Sequence, residues 1–146
     1  MTDAARLFDI LQRLSGAGPM RPETVGARIG VVLARDPAAS DAVKDVFASA
    51  AVGGNLVEAA RLSCPASTLA GTSSSLVLTL APAVRIGKAD VREAYGAESS
   101  TIIPTPREPP GSPMGLWYRR DWADVLFSFS TTEDRLIGVI IDEREP

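Results

Sequence analysis

Histidine is absent from this sequence of 146 residues, and cysteine occurs once, as Cys64. Histidine is the commonest general base at neutral pH and the commonest metal ligand, so its absence removes the usual starting point for both kinds of site. A single cysteine cannot form a disulfide within the chain. We therefore expect a protein of a reducing compartment that holds no metal or other cofactor.

Long apolar runs are also missing. The longest, residues 76–84, is interrupted by Thr79 and Pro82 and is less than half of the about 20 residues that a membrane-spanning helix needs. Residues 1–20 place charged side chains among the apolar positions, a pattern that a secretory signal does not have. The sequence therefore predicts a cytoplasmic protein that does not enter a membrane.

The sequence has no excess of positive charge. It contains 15 lysine and arginine residues against 18 aspartate and glutamate residues, which gives a formal net charge of -3. Proteins that bind nucleic acids use a basic surface to displace counterions from phosphates. The composition therefore predicts no nucleic-acid partner. Among the basic residues only Lys44 and Lys88 are lysines, and this preference for arginine is typical of a GC-rich bacterial genome.

A repeated segment is the main feature that the chain does contain. Residues 22–29 and residues 88–95 share one pattern: each starts with a residue that suits the first turn of a helix, Pro22 or Lys88, continues with acidic or hydroxyl side chains, and is followed by a glycine. We predict one short helix in each. A repeat of this kind predicts that the chain is two copies of a helix-then-sheet unit.

An additional helix is predicted over residues 4–15, ahead of the repeat. Apolar side chains recur there at the three- and four-residue spacing of one helical stripe, at Leu7, Ile10, Leu11 and Leu14. Residues 1–19 therefore form an N-terminal helical segment, followed by a first unit over residues 20–84 and a second unit over residues 85–146. We expect these segments to form one compact domain.

Strand patterns follow each helix of the repeat. Apolar residues alternate with polar ones, or form a short continuous run, in three segments of each unit. The segments are residues 46–52, 56–64 and 76–80 in the first unit, and residues 116–120, 124–130 and 135–142 in the second. Residues 53–55 predict a hairpin turn, and the five prolines within residues 104–113 predict a long, stiff loop.

These elements predict an α+β fold. It consists of two tandem helix-plus-three-strand antiparallel meander units and an additional N-terminal helix, with the helices on one face of the sheet. The pattern leaves open whether the two units share one sheet and in what order the strands lie.

Both repeat helices end in a similar way. A valine is followed by three residues and then by Ile29-Gly30 or Tyr95-Gly96, and the chain closes with the apolar runs 126–129 and 136–139. In this layout, residues 20–142 resemble the beta-lactamase-inhibitor-protein-like fold and the related SmpA/OmlA outer-membrane assembly lipoproteins. The resemblance implies a non-enzymatic module that binds another protein through its exposed sheet face and its loops.

Three features depart from these families. An export signal is missing, Cys64 lies in mid-chain where it cannot carry a lipid anchor, and the paired cysteines of exported inhibitors are absent. A cytoplasmic immunity or inhibitor protein, one that neutralises a bacterial toxin or enzyme, fits these departures better. We therefore expect the partner to be another protein.

The candidate contact residues lie in residues 117–122, which hold both tryptophans of the chain next to two arginines. Trp, Tyr and Arg dominate binding hot spots because they bury large areas and still offer polar contacts. The residues predicted to contact the partner are Trp117, Tyr118, Arg119, Arg120 and Trp122. Alternation places Trp117 and Arg119 on one face of a strand and Tyr118 and Arg120 on the other, so the alternative is that Tyr118 and one tryptophan pack in the core.

Arg107 is a sixth candidate, within the proline-rich loop. Its surroundings, Pro104 to Pro110, contain a P-x-x-P spacing, and a stiff loop next to the tryptophan segment could form the rim of a binding surface. The alternative is a stiff connection that binds nothing.

Two catalytic hypotheses stay open beside the binding hypothesis. Cys64 could act as a nucleophile, although the nearest cation in the sequence is Arg61 and an inert buried thiol is the alternative. Asp121 and Asp124 could supply a pair of carboxylates, although solvated acidic residues are ordinary at a hairpin end. We predict no catalytic residue. A further hypothesis is a structural module, monomer or homodimer, that pairs an exposed strand edge with a second copy.

Overall fold

The computed structural model describes residues 2–16, 19–50, 56–65, 74–109 and 111–143. These residues form three helices beside one sheet of eight strands. In chain order the elements are α1 (Asp3–Ser15), α2 (Pro22–Ile29), β1 (Ala34–Arg35), β2 (Lys44–Ala50), β3 (Val57–Pro65), β4 (Ser75–Leu80), α3 (Lys88–Tyr95), β5 (Ser100–Ile102), β6 (Met114–Arg119), β7 (Ala123–Phe129) and β8 (Leu136–Glu143).

The two repeat helices begin and end where the sequence predicts. α2 has Pro22 in its first turn and stops at Gly30, whose φ of 80° suits a residue without a side chain. α3 also stops at a glycine with a positive φ, Gly96 at 82°, although its ψ of -158° differs from the 32° of Gly30. At the start of α3 the Asp90 carboxylate accepts a hydrogen bond from the Gly87 N–H at 2.8 Å. Local chemistry at both ends therefore fixes these helices.

The sheet joins the two halves of the chain. Its strand order is β1-β2-β3-β4-β8-β7-β6-β5, and every neighbouring pair is antiparallel. The first unit supplies β1 to β4 and the second supplies β5 to β8 in reversed order, as a twofold axis between β4 and β8 would produce. The two units therefore share one sheet, and the predicted α+β fold is confirmed.

Each half of the sheet contains one short strand that the sequence pattern does not indicate. β1 has two residues and β5 has three, and both lie at an edge with every residue exposed. Because neither face of these strands is buried, they show no alternation of apolar and polar residues. Each repeat helix is thus followed by four strands, of which three form the predicted meander. The predicted turn at residues 53–55 lies outside the described residues, as do residues 66–73.

The core lies between the helices and one face of the sheet. Leu7, Leu11 and Leu14 of α1 are buried, whereas Ile10 is only partly buried. Alternate residues of β7 are fully buried in the same core, at Ala123, Val125, Phe127 and Phe129. The helices therefore pack on one face of the sheet. None of the helices in the described part of the chain has the length and apolar character to cross a bilayer.

Candidate protein-binding face

The alternation predicted for the tryptophan segment is present along β6. Leu116 and Tyr118 point into the core and are 0% and 2% exposed. Trp117 is partly exposed and Arg119 is exposed, and both lie on the opposite face of the sheet. Within the described residues, all three helices pack on the Tyr118 side. One aromatic side chain is thus available on a sheet face that carries no described helix.

An apolar row crosses that face over four adjacent strands. Trp117 on β6 lies opposite Leu126 on β7. Leu126 lies opposite Ile140 on β8, which in turn lies opposite Val77 on β4. The first three side chains are partly exposed and Val77 is 36% exposed. Residues directly opposite on antiparallel strands have Cβ atoms about 5 Å apart, so the four side chains form one continuous ridge. We call the sheet face that carries Trp117, Leu126, Ile140 and Val77 the open face.

Small residues run beside this ridge. The neighbouring row of the open face consists of Gly115, Ser128, Gly138 and Thr79. A Cβ atom added at Gly115 would lie 2.6 Å from Cδ1 of Leu126, so the leucine already occupies the space above this glycine. A Cβ atom at Gly138 would lie 3.1 Å from the carbonyl oxygen of Leu78. The small residues of this row therefore allow Leu126 to pack over Gly115 and the backbone of β4 to approach Gly138 closely.

Charged side chains lie along one side of the ridge and at one of its ends. Arg119 lies opposite Asp124, and Asp124 lies opposite Asp142 on β8. One carboxylate oxygen of Asp124, Oδ1, is buried and has no hydrogen-bond partner among the residues that the structure describes. Arg61 on β3 is exposed and extends the apolar row beyond Val77. An apolar centre with a polar rim is the usual composition of a protein interface.

Tyr118 and Arg120 lie on the helix side of the sheet. The Tyr118 hydroxyl donates a hydrogen bond to the carbonyl oxygen of Gly96 at 2.8 Å. The guanidinium carbon of Arg120 lies 4.6 Å from the centre of the Tyr95 ring, and Nη2 donates to the Tyr95 carbonyl oxygen at 2.7 Å. Burial raises the pKa of Tyr95, so its hydroxyl stays protonated at neutral pH. These contacts hold the C-terminal end of α3 against β6.

The remaining two candidates lie elsewhere. Trp122 is in the turn between β6 and β7, partly exposed, and packs against the core on the helix side. Arg107 is exposed in the loop between β5 and β6. The six predicted contact residues therefore occupy three places. Trp117 and Arg119 lie on the open face, Tyr118, Arg120 and Trp122 on the helix side, and Arg107 in the loop.

The residues of the two catalytic hypotheses lie in different surroundings. Cys64 is 6% exposed, its thiol donates to the carbonyl oxygen of Met20 at 3.9 Å, and burial raises its pKa, which disfavours the reactive thiolate. Asp121 is exposed in a turn, whereas Asp124 lies on β7. In the ranges that the structure describes, no group of three or more metal-ligating side chains occurs.

Three residues of the ridge were not predicted as contact residues from the sequence. The sequence does contain an indication for Leu126. It lies at the same alternate positions of β7 as the polar residues Asp124 and Ser128, whereas the buried residues occupy the positions in between. Ile140 lies in a near-continuous apolar run, which does not indicate which residues face the core and which face the opposite side. Val77 joins them only through the pairing of β4 with β8, which links the two halves of the chain.

Comparisons of the chain with protein-family models, with curated proteins and with solved structures find no match in any of the three.

Proposed function

We propose that this chain is a non-enzymatic protein-binding module that contacts its partner through the open face. The observation that carries the proposal is the apolar ridge of Trp117, Leu126, Ile140 and Val77. A sheet face that meets only water normally carries polar residues at these positions. A contiguous exposed apolar patch marks an interaction surface, and tryptophan is the residue most enriched at binding hot spots.

The charges around the ridge support the same proposal. Arg119, Asp124 and Asp142 lie in the row next to the ridge, and Arg61 lies at its end. Charged groups at the rim of an interface set the orientation and the association rate more than the affinity. We expect Trp117 to contribute most of the affinity and Arg119 to contribute selectivity, with Arg107 at the periphery.

The proposed partner is a bacterial toxin or enzyme, and the chain would act as a cytoplasmic immunity or inhibitor protein. The lack of an internal disulfide and the resemblance of the tandem units to inhibitor folds support this role. The antiparallel sheet supports it as well, because a preformed face loses little conformational entropy when it binds. A large toxin surface can thus be covered without rearrangement of the module.

The test is a pull-down from the source cell with three forms of the protein. The unaltered chain is expected to retain a specific partner, Trp117→Ala is expected to lose it, and Trp122→Ala is expected to keep it. The last variant is a matched control, because it removes the same side chain from the helix side of the sheet. With the partner identified, truncation of Trp117 should lower the affinity about 30-fold or more, equivalent to about 2 kcal/mol.

Circular dichroism and urea denaturation of the three forms must accompany the pull-down. Loss of the partner supports binding through the open face only if the variant remains folded. Equal retention by the unaltered chain and Trp117→Ala contradicts binding through the open face, and measured turnover of the partner or of a small substrate contradicts the non-enzymatic assignment.

Self-association is a second candidate function. Ile102 of the edge strand β5 is 48% exposed and the adjacent Ile103 is 71% exposed. An exposed apolar edge strand is a template for pairing with a second copy. Analytical ultracentrifugation decides this candidate: a dimer that Ile103→Lys dissociates supports it, and a monomer at micromolar concentration eliminates it.

A further inference from the structure

Two carboxylates lie side by side next to the ridge of the open face. Asp124 on β7 is directly opposite Asp142 on β8, and the neighbouring pair of the ridge consists of Leu126 and Ile140. Residues opposite each other on antiparallel strands have Cβ atoms about 5 Å apart, and like charges in such a pair repel each other. Folding therefore does not account for this pair of carboxylates.

The negative charge of the pair is not compensated within the described part of the chain. Arg119 on β6 lies opposite Asp124, yet among the described residues neither carboxylate takes part in an ion pair. Oδ1 of Asp124 is buried without a hydrogen-bond partner in the same ranges, and Asp142 is exposed. A buried acceptor that has lost its water contacts and gained no donor destabilises the folded chain. A cation that approaches this side of the ridge therefore meets two carboxylates whose charge is still available.

Another strand carboxylate, Asp45, has a cation of its own. Its Oδ1 accepts a hydrogen bond from Nε of Arg35, on the adjacent strand β1, at 3.2 Å. Asp45 lies opposite the buried Cys64 and therefore on the helix side of the sheet. The chain thus supplies a basic neighbour to a carboxylate away from the open face, whereas the uncompensated pair coincides with the surface proposed for binding.

We propose that the partner protein contributes an arginine or lysine side chain to Asp124 and Asp142, next to an apolar side chain that covers the ridge. This inference rests on the proposed protein-binding function and adds the chemistry of the partner. Arginine fits best, because the planar guanidinium has five N–H donors and can donate to Asp142 while it lies close to Asp124. The net charge of -3 acts in the same direction, since it attracts a basic partner.

A pair of short peptides tests this chemistry before the partner is identified. The probes are N-acetyl-Leu-Arg-Leu-amide and the same peptide with citrulline, an uncharged group of nearly the same shape, in place of arginine. Each is titrated into the isotope-labelled full chain, and NMR follows the backbone amide of every residue. We expect both peptides to shift Leu126 and Ile140, and the arginine peptide to shift Asp124 and Asp142 as well. The arginine peptide should bind about fivefold more tightly, which is the effect of an exposed ion pair.

Variants of three aspartates locate the charge that the arginine peptide recognises. Asp124→Asn and Asp142→Asn each remove one charge at nearly constant shape, so each should reduce the preference for arginine over citrulline, and the double variant should remove it. Asp121→Asn is the matched control, because it changes the net charge by the same amount in the turn between β6 and β7. It should keep the full preference. If Asp124→Asn does not fold, Asp142→Asn decides the test, since it alters an exposed side chain.

Several results overturn the proposal of a basic contact. They are equal binding of the two peptides, unshifted amides at Asp124 and Asp142, and an equal loss of preference in Asp121→Asn, which would mean that net charge alone attracts the peptide. Ridge amides that shift on dilution without any peptide identify a second copy of the chain as the occupant and also overturn it. The protein-binding function is decided separately, because Trp117→Ala loses the partner in the pull-down whether or not a basic side chain is involved.

Discussion

The two faces of β7 carry apolar residues for different reasons. Phe127 is fully buried under the helices, where its ring meets those of Phe8, Tyr95 and Tyr118 at 6.3, 5.2 and 5.7 Å between centres. Its neighbour Leu126 is partly exposed on the open face and lies over Gly115. The core accounts for Phe127 completely. Leu126 lies outside the core, as do Trp117 and Ile140, and the proposed contact with a partner would account for these three.

The largest expected difference between the faces is in stability. Phe127→Ala should lower the free energy of unfolding by about 3–5 kcal/mol, because it leaves a cavity among the aromatic rings. Leu126→Ala should lower it by about 1 kcal/mol at most, since a partly exposed side chain loses little burial. Urea denaturation of both variants measures the two values. A similar loss in both would mean that the open face is part of the folding core.

Gly115→Ala should have the next largest effect, because it acts on both stability and binding. The added Cβ atom would lie 2.6 Å from Cδ1 of Leu126, so the leucine side chain must move outward. Because this atom is the outer end of a flexible and partly exposed side chain, we expect a loss of about 1 kcal/mol at most in the free energy of unfolding. The same movement changes the shape of the ridge, so partner binding should weaken as well. Unchanged partner binding would contradict a contribution of the Leu126 position to the binding surface.

Tyr118→Phe tests the helix side with a smaller change. The variant removes the hydrogen bond from the Tyr118 hydroxyl to the carbonyl oxygen of Gly96. We expect it to lower the free energy of unfolding by about 1 kcal/mol and to leave partner affinity unchanged. Trp117→Phe, on the adjacent residue, should lower partner affinity and leave the free energy of unfolding unchanged. Equal effects of the two variants on affinity would remove the distinction between the faces.

The smallest expected effect depends on pH and concerns the connection between α3 and the sheet edge. A hydrogen bond from Arg92 lowers the pKa of Glu98 from 4.5 to about 2. Since the folded-state pKa is depressed, this contribution to stability is complete above pH 4.5 and is lost as the pH falls towards 2. The Glu98→Gln variant should therefore show a weaker loss of stability over this interval. Thermal unfolding of both forms between pH 2 and 6 measures the difference.

The local parts of the fold could be predicted from the sequence. Pro22, Gly30 and Gly96 set the ends of the repeat helices, because their backbone preferences act without tertiary contacts. The two-residue period of a strand correctly placed Trp117 and Tyr118 on opposite faces of β6. The edge strands β1 and β5 could not be predicted, because pairing along one edge leaves no mark on side-chain burial.

The candidate site could be predicted only in part, because it depends on register between distant strands. Trp117 and Leu126 belong to one hairpin, but Ile140 and Val77 meet only where β8 pairs with β4. Arg120 is prominent in the sequence for its aromatic neighbours, yet its position over Tyr95 follows from the tertiary packing of α3.

The reversed order of the two halves has a consequence for biosynthesis. β8, residues 136–143, is made last of the eight strands but lies near the centre of the sheet, between β4 and β7. As the nascent chain leaves the ribosome, β4 therefore presents an unpaired edge during the time in which some sixty further residues are translated. The same arrangement makes residues 81–87, between β4 and α3, a natural place to divide the gene: two fragments expressed together would each hold half of the sheet and could reassemble through β4 and β8.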